Sequence, residues 1–109
     1  MILLSLASKQ IWPHVLIVNH LKPDTLILLH SQDEKESKGP AQKLKRFFEN
    51  SGMISKGSIV LEEISDSDFD AAEKTFNDIQ TRRSLPLHEC VVNITGGNKL
   101  MSTAAFRWA

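Results

Sequence analysis

Apolar and polar residues fall along this chain in alternating blocks, and the period changes from block to block. Residues 2–7 (ILLSLA) are an almost unbroken apolar run with one serine. A strand covered on both faces reads this way, because both sets of alternate side chains must avoid water. Ser8, Lys9 and Gln10 break the run. Pro13 suits the first turn of a helix, and Val15, Leu16, Val18 and Leu21 then supply an apolar stripe at helical spacing. Pro23 disfavours helical geometry at Lys22 and ends that helix. Residues 25–30 (TLILLH) are a second apolar strand, and residues 31–40 (SQDEKESKGP) read as a charged loop, either disordered or a lid.

Pro40 opens the next helix, with Ala41, Leu44, Phe47 and Phe48 on its apolar face and Lys43, Lys45 and Arg46 on the other. Gly52 fits the left-handed residue that closes such a helix. Residues 58–64 (SIVLEEI) form a third strand, less apolar and therefore nearer a sheet edge. Residues 65–68 (SDSD) offer N-caps. Phe69, Ala72, Phe76 and Ile79 give the third helical stripe, which Pro86 stops. Residues 88–94 (HECVVNI) are the fourth strand, and residues 99–109 a fourth helix with Leu100, Met101, Ala104 and Ala105 available to the core.

Strict β-α-β-α-β-α-β-α alternation predicts one domain over residues 1–109. The fold class is α/β, Rossmann-like and doubly wound, with a mainly parallel sheet and helices on both faces. In the common winding order, strands one and four are neighbours at the centre, where the winding reverses. Ligands bind beyond the carboxyl ends of the strands at that point. The loop carrying Ser8, Lys9 and Gln10 and the loop carrying Thr95, Gly96, Gly97, Asn98 and Lys99 are thus expected side by side, each with a lysine.

Composition narrows the chemistry. Lys and Arg together number 13, as do Asp and Glu, and the formal net charge is +0. A general electrostatic grip on duplex nucleic acid is therefore not expected, while a small anion at one local site is. The lone cysteine, Cys90, sits in an apolar run and reads as a buried thiol. One cysteine builds no disulfide framework, which suits a reducing cytoplasm. The N-terminal apolar run is too short to span a membrane and has no basic residues before it.

The stretch that carries chemistry is Asn93-Ile94-Thr95-Gly96-Gly97-Asn98-Lys99-Leu100-Met101-Ser102. A strand breaks into a two-glycine turn and continues as a helix. Glycines allow close backbone approach, a helix N-terminus attracts anions, and Lys99 adds a point charge. The alternative is a structural corner. The turn has neither the GxxxxGK[ST] nor the GxGxxG spacing, so P-loop hydrolysis and dinucleotide binding are not expected. Ser8, Thr95, Ser102 and Thr103 either contact phosphate or cap helices, and Asn93 and Asn98 either read a ligand edge or satisfy turn backbone. His14, His20, His30 and His88 are scattered without HxxxH spacing, so no metal set is found. His30, at the end of strand two, lies nearest the expected site. No cofactor is expected, and no nucleophile or acid/base pair stands out; Glu62 and Glu63 alternate across a strand and face opposite ways.

With those residues in view, the chain resembles the CARF domain (CRISPR-associated Rossmann fold), most of all the N-terminal sensor domain of CARF–nuclease proteins of type III CRISPR systems. The Asn-x-Thr-Gly-Gly-x-Lys-x-Met-Ser run at residues 93–102 carries the resemblance, with Asn98 where threonine is commoner. Ser8-Lys9-Gln10, Pro13 and Leu21-Lys22-Pro23-Asp24 add to it. The resemblance implies a homodimer that binds a cyclic oligoadenylate, the tetra-adenylate by expectation, in a two-fold cleft as an antiviral sensor. Gly96, Gly97 and Lys99 would hold phosphate or ribose, Thr95 and Ser102 would add hydroxyls, and Ser8 and Gln10 would come from the opposing loop. The nuclease region of long family members is absent from these residues, so they are not expected to cleave DNA or RNA. The alternative that the resemblance allows is a stand-alone, metal-independent ring nuclease. Such an enzyme sets a ribose 2′-hydroxyl in line with its phosphate and leaves no motif beyond the binding site.

Overall fold

Four strands, β1 (Ile2–Leu6), β2 (Thr25–His30), β3 (Ile59–Glu63) and β4 (Cys90–Asn93), form one sheet in the order β3-β2-β1-β4. Every pairing is parallel. They come from a computed structural model, which describes residues 1–54, 58–93, 103–104 and 108. The connecting helices are α1 (Ile11–Leu21), α2 (Gly39–Ser51) and α3 (Phe69–Arg83). β1 and β4 are neighbours as expected, and β4 ends the row of described strands. β3 lies at the other edge, in line with its weaker apolar run.

The pleat divides the apolar residues of each strand between two cores. Leu4, Leu6, Ile27 and Leu29 pack on one face with Ala72, Phe76 and Ile79 of α3 and with Ala104. Leu3, Leu26, Leu28 and Ile59 pack on the other with Val18 of α1 and Ala41, Leu44 and Phe48 of α2. Helices therefore cover both faces, as the alternation of elements predicts. Thr103, Ala104 and Trp108 are helical. The Trp108 ring stacks on Phe76 at 5.4 Å, and its indole N–H donates to Gln80 Oε1 at 3.2 Å. The remaining core candidates of the fourth helix, Leu100, Met101 and Ala105, lie outside the described residues.

Local chemistry ends the helices where the sequence indicates. Lys22 closes α1 in the left-handed region at φ 49°, and Gly52 closes α2 at φ 74°. Asp68 caps α3, its side chain accepting from the Ala71 N–H.

Three expectations need correction. Residues 31–40 are not a plain loop, because Glu34–Lys38 wind into a wide, π-type turn that runs into α2. Short side chains wind it: Ser37 Oγ accepts from Ser31 N–H at 2.7 Å, and Asp33 Oδ1 from Lys35 N–H at 3.1 Å. The Asp33 carbonyl takes both Ser37 and Lys38 N–H groups. Second, Leu16 is not core: it stands 65% exposed, and the inward positions of α1 belong to His14 and Val18. Third, the chain before β4 is a one-turn 3₁₀ segment, Leu87–Glu89, rather than strand. It leaves Cys90 at the strand's start and only half-buried. Among the described residues no helix is long and apolar enough to cross a membrane.

Candidate functional site

Because all four strands are parallel, the loops after β1 and β4 leave the same edge of the sheet. The winding runs from β1 through β2 to β3 on one side and meets β4 on the other. The β1–β4 seam is thus the switch point at which a doubly wound sheet leaves a crevice. Ser5 of β1 and Asn93 of β4 lie directly opposite one another across that seam.

Ser5 is the one polar residue in the run ILLSLA, and its position in the pleat sends it to the face that α1 covers. Being 1% exposed, it needs a partner there. Asn93, also buried, donates from Nδ2 to Ser5 Oγ at 3.1 Å. On the other side Ser5 Oγ lies 2.8 Å from Nδ1 of His14, which α1 carries in its first turn and which is 1% exposed. The far ring nitrogen, Nε2, lies 3.4 Å from Ser8 Oγ in the loop after β1. Ser8 Oγ in turn donates to the Gln10 carbonyl at a long 3.5 Å. A buried polar row therefore runs from the end of β4, across β1 and α1, to the site loop. Burial pushes the His14 pKa below its ordinary value, so the ring stays neutral at physiological pH.

The sequence reading passed over His14 as one of four scattered histidines. A signal was there. A lone serine inside a doubly covered strand requires a buried hydrogen-bonding partner, and the helix that follows is the nearest source of one.

Beyond Ser8 the site opens outward. Lys9 and Gln10 are exposed and, with Ile11, Trp12 and Pro13, line a cleft of about 430 Å³. Lys9 and Ile11 also line a second cleft of about 430 Å³ with Lys35, Gly39, Pro40 and Lys43. Three lysines thus border the carboxyl edge beside β1. Gln10 is the N-cap of α1 but makes no side-chain capping bond, so no cap competes for the first N–H groups of α1. Trp12 is 72% exposed at the mouth of the first cleft. A larger depression of about 600 Å³ between β3 and α3 is lined by Glu62, Glu63, Asp78 and Arg82 with Thr75 and Thr81. Within it Glu62 is paired with Arg82 and Arg83.

Of the predicted site residues, the structure brings Ser8 and Asn93 into one hydrogen-bonded row, with Lys9 and Gln10 on the loop beside them. Thr95, Gly96, Gly97, Asn98, Lys99 and Ser102 lie outside the described residues. His30, the histidine expected nearest the site, is buried at the end of β2, and its Nδ1–H donates to the Ser31 carbonyl at 2.9 Å. It is held by its own backbone.

Among solved structures, the chain is similar to Can2 from Sulfobacillus thermosulfidooxidans in complex with cyclic tetra-adenylate. The TM-score is 0.76 at 21% identity, over 98% of this chain and 28% of that one. It is also similar to Enterococcus italicus Csm6 bound to cyclic hexa-2′-fluoro-hexa-dAMP. Here the TM-score is 0.70 at 20% identity, over 97% of this chain and 29% of that one. At such identities the likeness is one of fold, and the chain spans less than a third of the length of either protein. A search of curated proteins returned no match. The family-level comparison reaches further, because the model of the Card1 CARF domain matches residues 2–109, which takes in both loops at the β1–β4 seam. The chain belongs to the Card1 CARF domain family.

Proposed function

We propose that this chain is a sensor domain that binds a cyclic oligoadenylate at the β1–β4 seam, completing its site as a homodimer in the cytoplasm. The single observation that carries the reading is the family match over residues 2–109, which covers the switch-point loops. Supporting it, Can2 and Csm6, similar in fold, are described in complex with a cyclic tetra-adenylate and a cyclic hexanucleotide analogue, respectively. The chemistry of the edge agrees: Lys9, Lys35 and Lys43 suit a phosphate-bearing ligand, and Ser8, Gln10 and Asn93 suit ribose and base edges. The tetra-adenylate is the ring proposed here. A ring with two-fold symmetry fits an isologous dimer in which each subunit reads half. Gly96, Gly97 and Lys99, with Thr95, Asn98 and Ser102, form the opposing wall in this reading.

The test is calorimetry with cyclic tetra-adenylate on three proteins. The wild type should bind, Lys99→Ala should weaken binding by at least about tenfold, and Lys45→Ala, on α2, should leave it unchanged. Absence of heat with the wild type, or equal loss in both variants, contradicts the proposal. Chromatography of the ring after incubation with excess protein separates a sensor, which returns it intact, from a ring nuclease, which returns linear fragments.

A further inference from the structure

The buried row at the seam has a direction. Asn93 Nδ2 can only donate, so Ser5 Oγ accepts at that contact. At the other end the Gln10 carbonyl can only accept, so Ser8 uses its single proton there. Ser8 therefore has none left for His14, and at the Nε2 contact the imidazole is the donor. Nε2 of a neutral ring carries the proton only if Nδ1 does not, so Nδ1 accepts the Ser5 hydroxyl proton at 2.8 Å. Along the row each donor then meets an acceptor, in the order Asn93, Ser5, His14, Ser8, Gln10 carbonyl. The opposite tautomer would place two donors on Ser5 Oγ and leave the buried Ser5 proton without one of these acceptors.

The contacts also differ in tightness. His14 is held firmly at Ser5, inside the protein. The contacts of Ser8 to His14 and to Gln10 are long, at 3.4 and 3.5 Å. Such contacts hold a hydroxyl weakly, so a better acceptor can take the Ser8 proton from the Gln10 carbonyl.

We propose that His14 is a positioning residue, fixed as the Nε2–H tautomer by Ser5 and Asn93, which makes Ser8 a hydrogen-bond donor to an anionic oxygen of the bound ligand. The inference rests on the cyclic-oligoadenylate reading for the identity of that ligand, a phosphodiester ring, though not for the tautomer. With Nε2–H occupying a lone pair of Ser8, the serine proton has to point outward. It lies on the Gln10 carbonyl until a phosphate oxygen replaces that carbonyl. Because the row includes Asn93, the last residue of β4, the same bonds tie the loop after β1 to the end of β4. A neutral ring in the opposite tautomer would draw the Ser8 proton inward and present the ligand with a lone pair, which repels phosphate.

Two measurements test this. The first is long-range ¹H–¹⁵N correlation on histidine-labelled protein, with the His14 signals assigned by their loss in His14→Asn. It should show Nδ1 unprotonated and Nε2 protonated at neutral pH. The second is calorimetry with cyclic tetra-adenylate across a double-mutant cycle. An asparagine at position 14 reaches Ser5 but not Ser8. His14→Asn should therefore weaken binding about five- to tenfold, as Ser8→Ala does, and should add nothing in the Ser8→Ala background. A glutamine amide reaches the place of Nε2, so His14→Gln should recover most of the loss. An Nδ1–H tautomer, or wild-type affinity in His14→Asn, overturns the assignment. If the wild type takes up no ring, the cyclic-oligoadenylate reading falls. The tautomer alone then decides: Nε2–H upholds the directed row and Nδ1–H ends it.

Discussion

At the scale of single residues, one serine sets much of the interior of the seam. Ser5→Ala removes an acceptor of Asn93 Nδ2 and the partner of His14 Nδ1, both buried. Leaving such groups unsatisfied costs about 1–3 kcal/mol each. Urea unfolding of Ser5→Ala should show a lower midpoint at unchanged slope. His14 also makes stability depend on pH. Burial holds its folded pKa below the ordinary 6.5, so the unfolded chain binds a proton that the folded chain refuses. Stability then rises with pH. The contribution is complete above pH 6.5 and is lost as the pH falls from 6.5 toward the folded value. Urea midpoints at about pH 8 and about pH 5.5 should differ in that direction, and His14→Gln should reduce the difference. None of this was visible from histidine spacing, which finds metal sites. It was latent in the pattern of the strand, where one hydroxyl interrupts an apolar run that helices cover on both sides.

At the scale of elements, the caps were legible and the faces were less so. Asp68 lies in the acidic run 65–68 and accepts from the Ala71 N–H at 3.1 Å. Asp68→Ala should cost about 1 kcal/mol, read as a shift in thermal midpoint. Gly52 could be assigned from sequence because glycine takes a positive φ more readily than any other residue. Leu16 was misplaced because α1 is apolar nearly all round, so periodicity does not pick its inner face; the need of Ser5 for a partner turns His14 inward instead. Residues 31–40 were misread because charge density suggests a loop, while Ser31, Asp33 and Ser37 supply the bonds that wind it. The link between β3 and α3 runs through Glu62. Burial pushes its carboxyl up, and the Arg83 and Arg82 guanidiniums more than offset that, leaving it below the usual 4.5. Its contribution is therefore present above pH 4.5 and lost as the pH drops through the folded value. Glu62→Gln should flatten the acid limb of the stability profile in that window, below the one governed by His14.

At the scale of the whole molecule, strict alternation of strand and helix was enough to give a parallel sheet covered on both faces, with β1 beside β4. Right-handed crossovers leave few other arrangements. The proposed site was legible in the sequence as a place in the fold, the carboxyl edge beside the β1–β4 seam, where the structure puts the loop of Ser8, Lys9 and Gln10. The buried row that joins this loop to β4 was not, because it depends on the register that sets Ser5 opposite Asn93, and register cannot be read from one strand at a time. The proposed function makes the site a shared one, with two copies of the seam facing a ring of matching symmetry. The measurement that meets this claim most directly is a calorimetric titration of the wild-type chain with cyclic tetra-adenylate, read for stoichiometry. One ring per two chains, a molar ratio of about 0.5, is the expected result for a two-fold site. A ratio of about 1, or no heat at all, would contradict it.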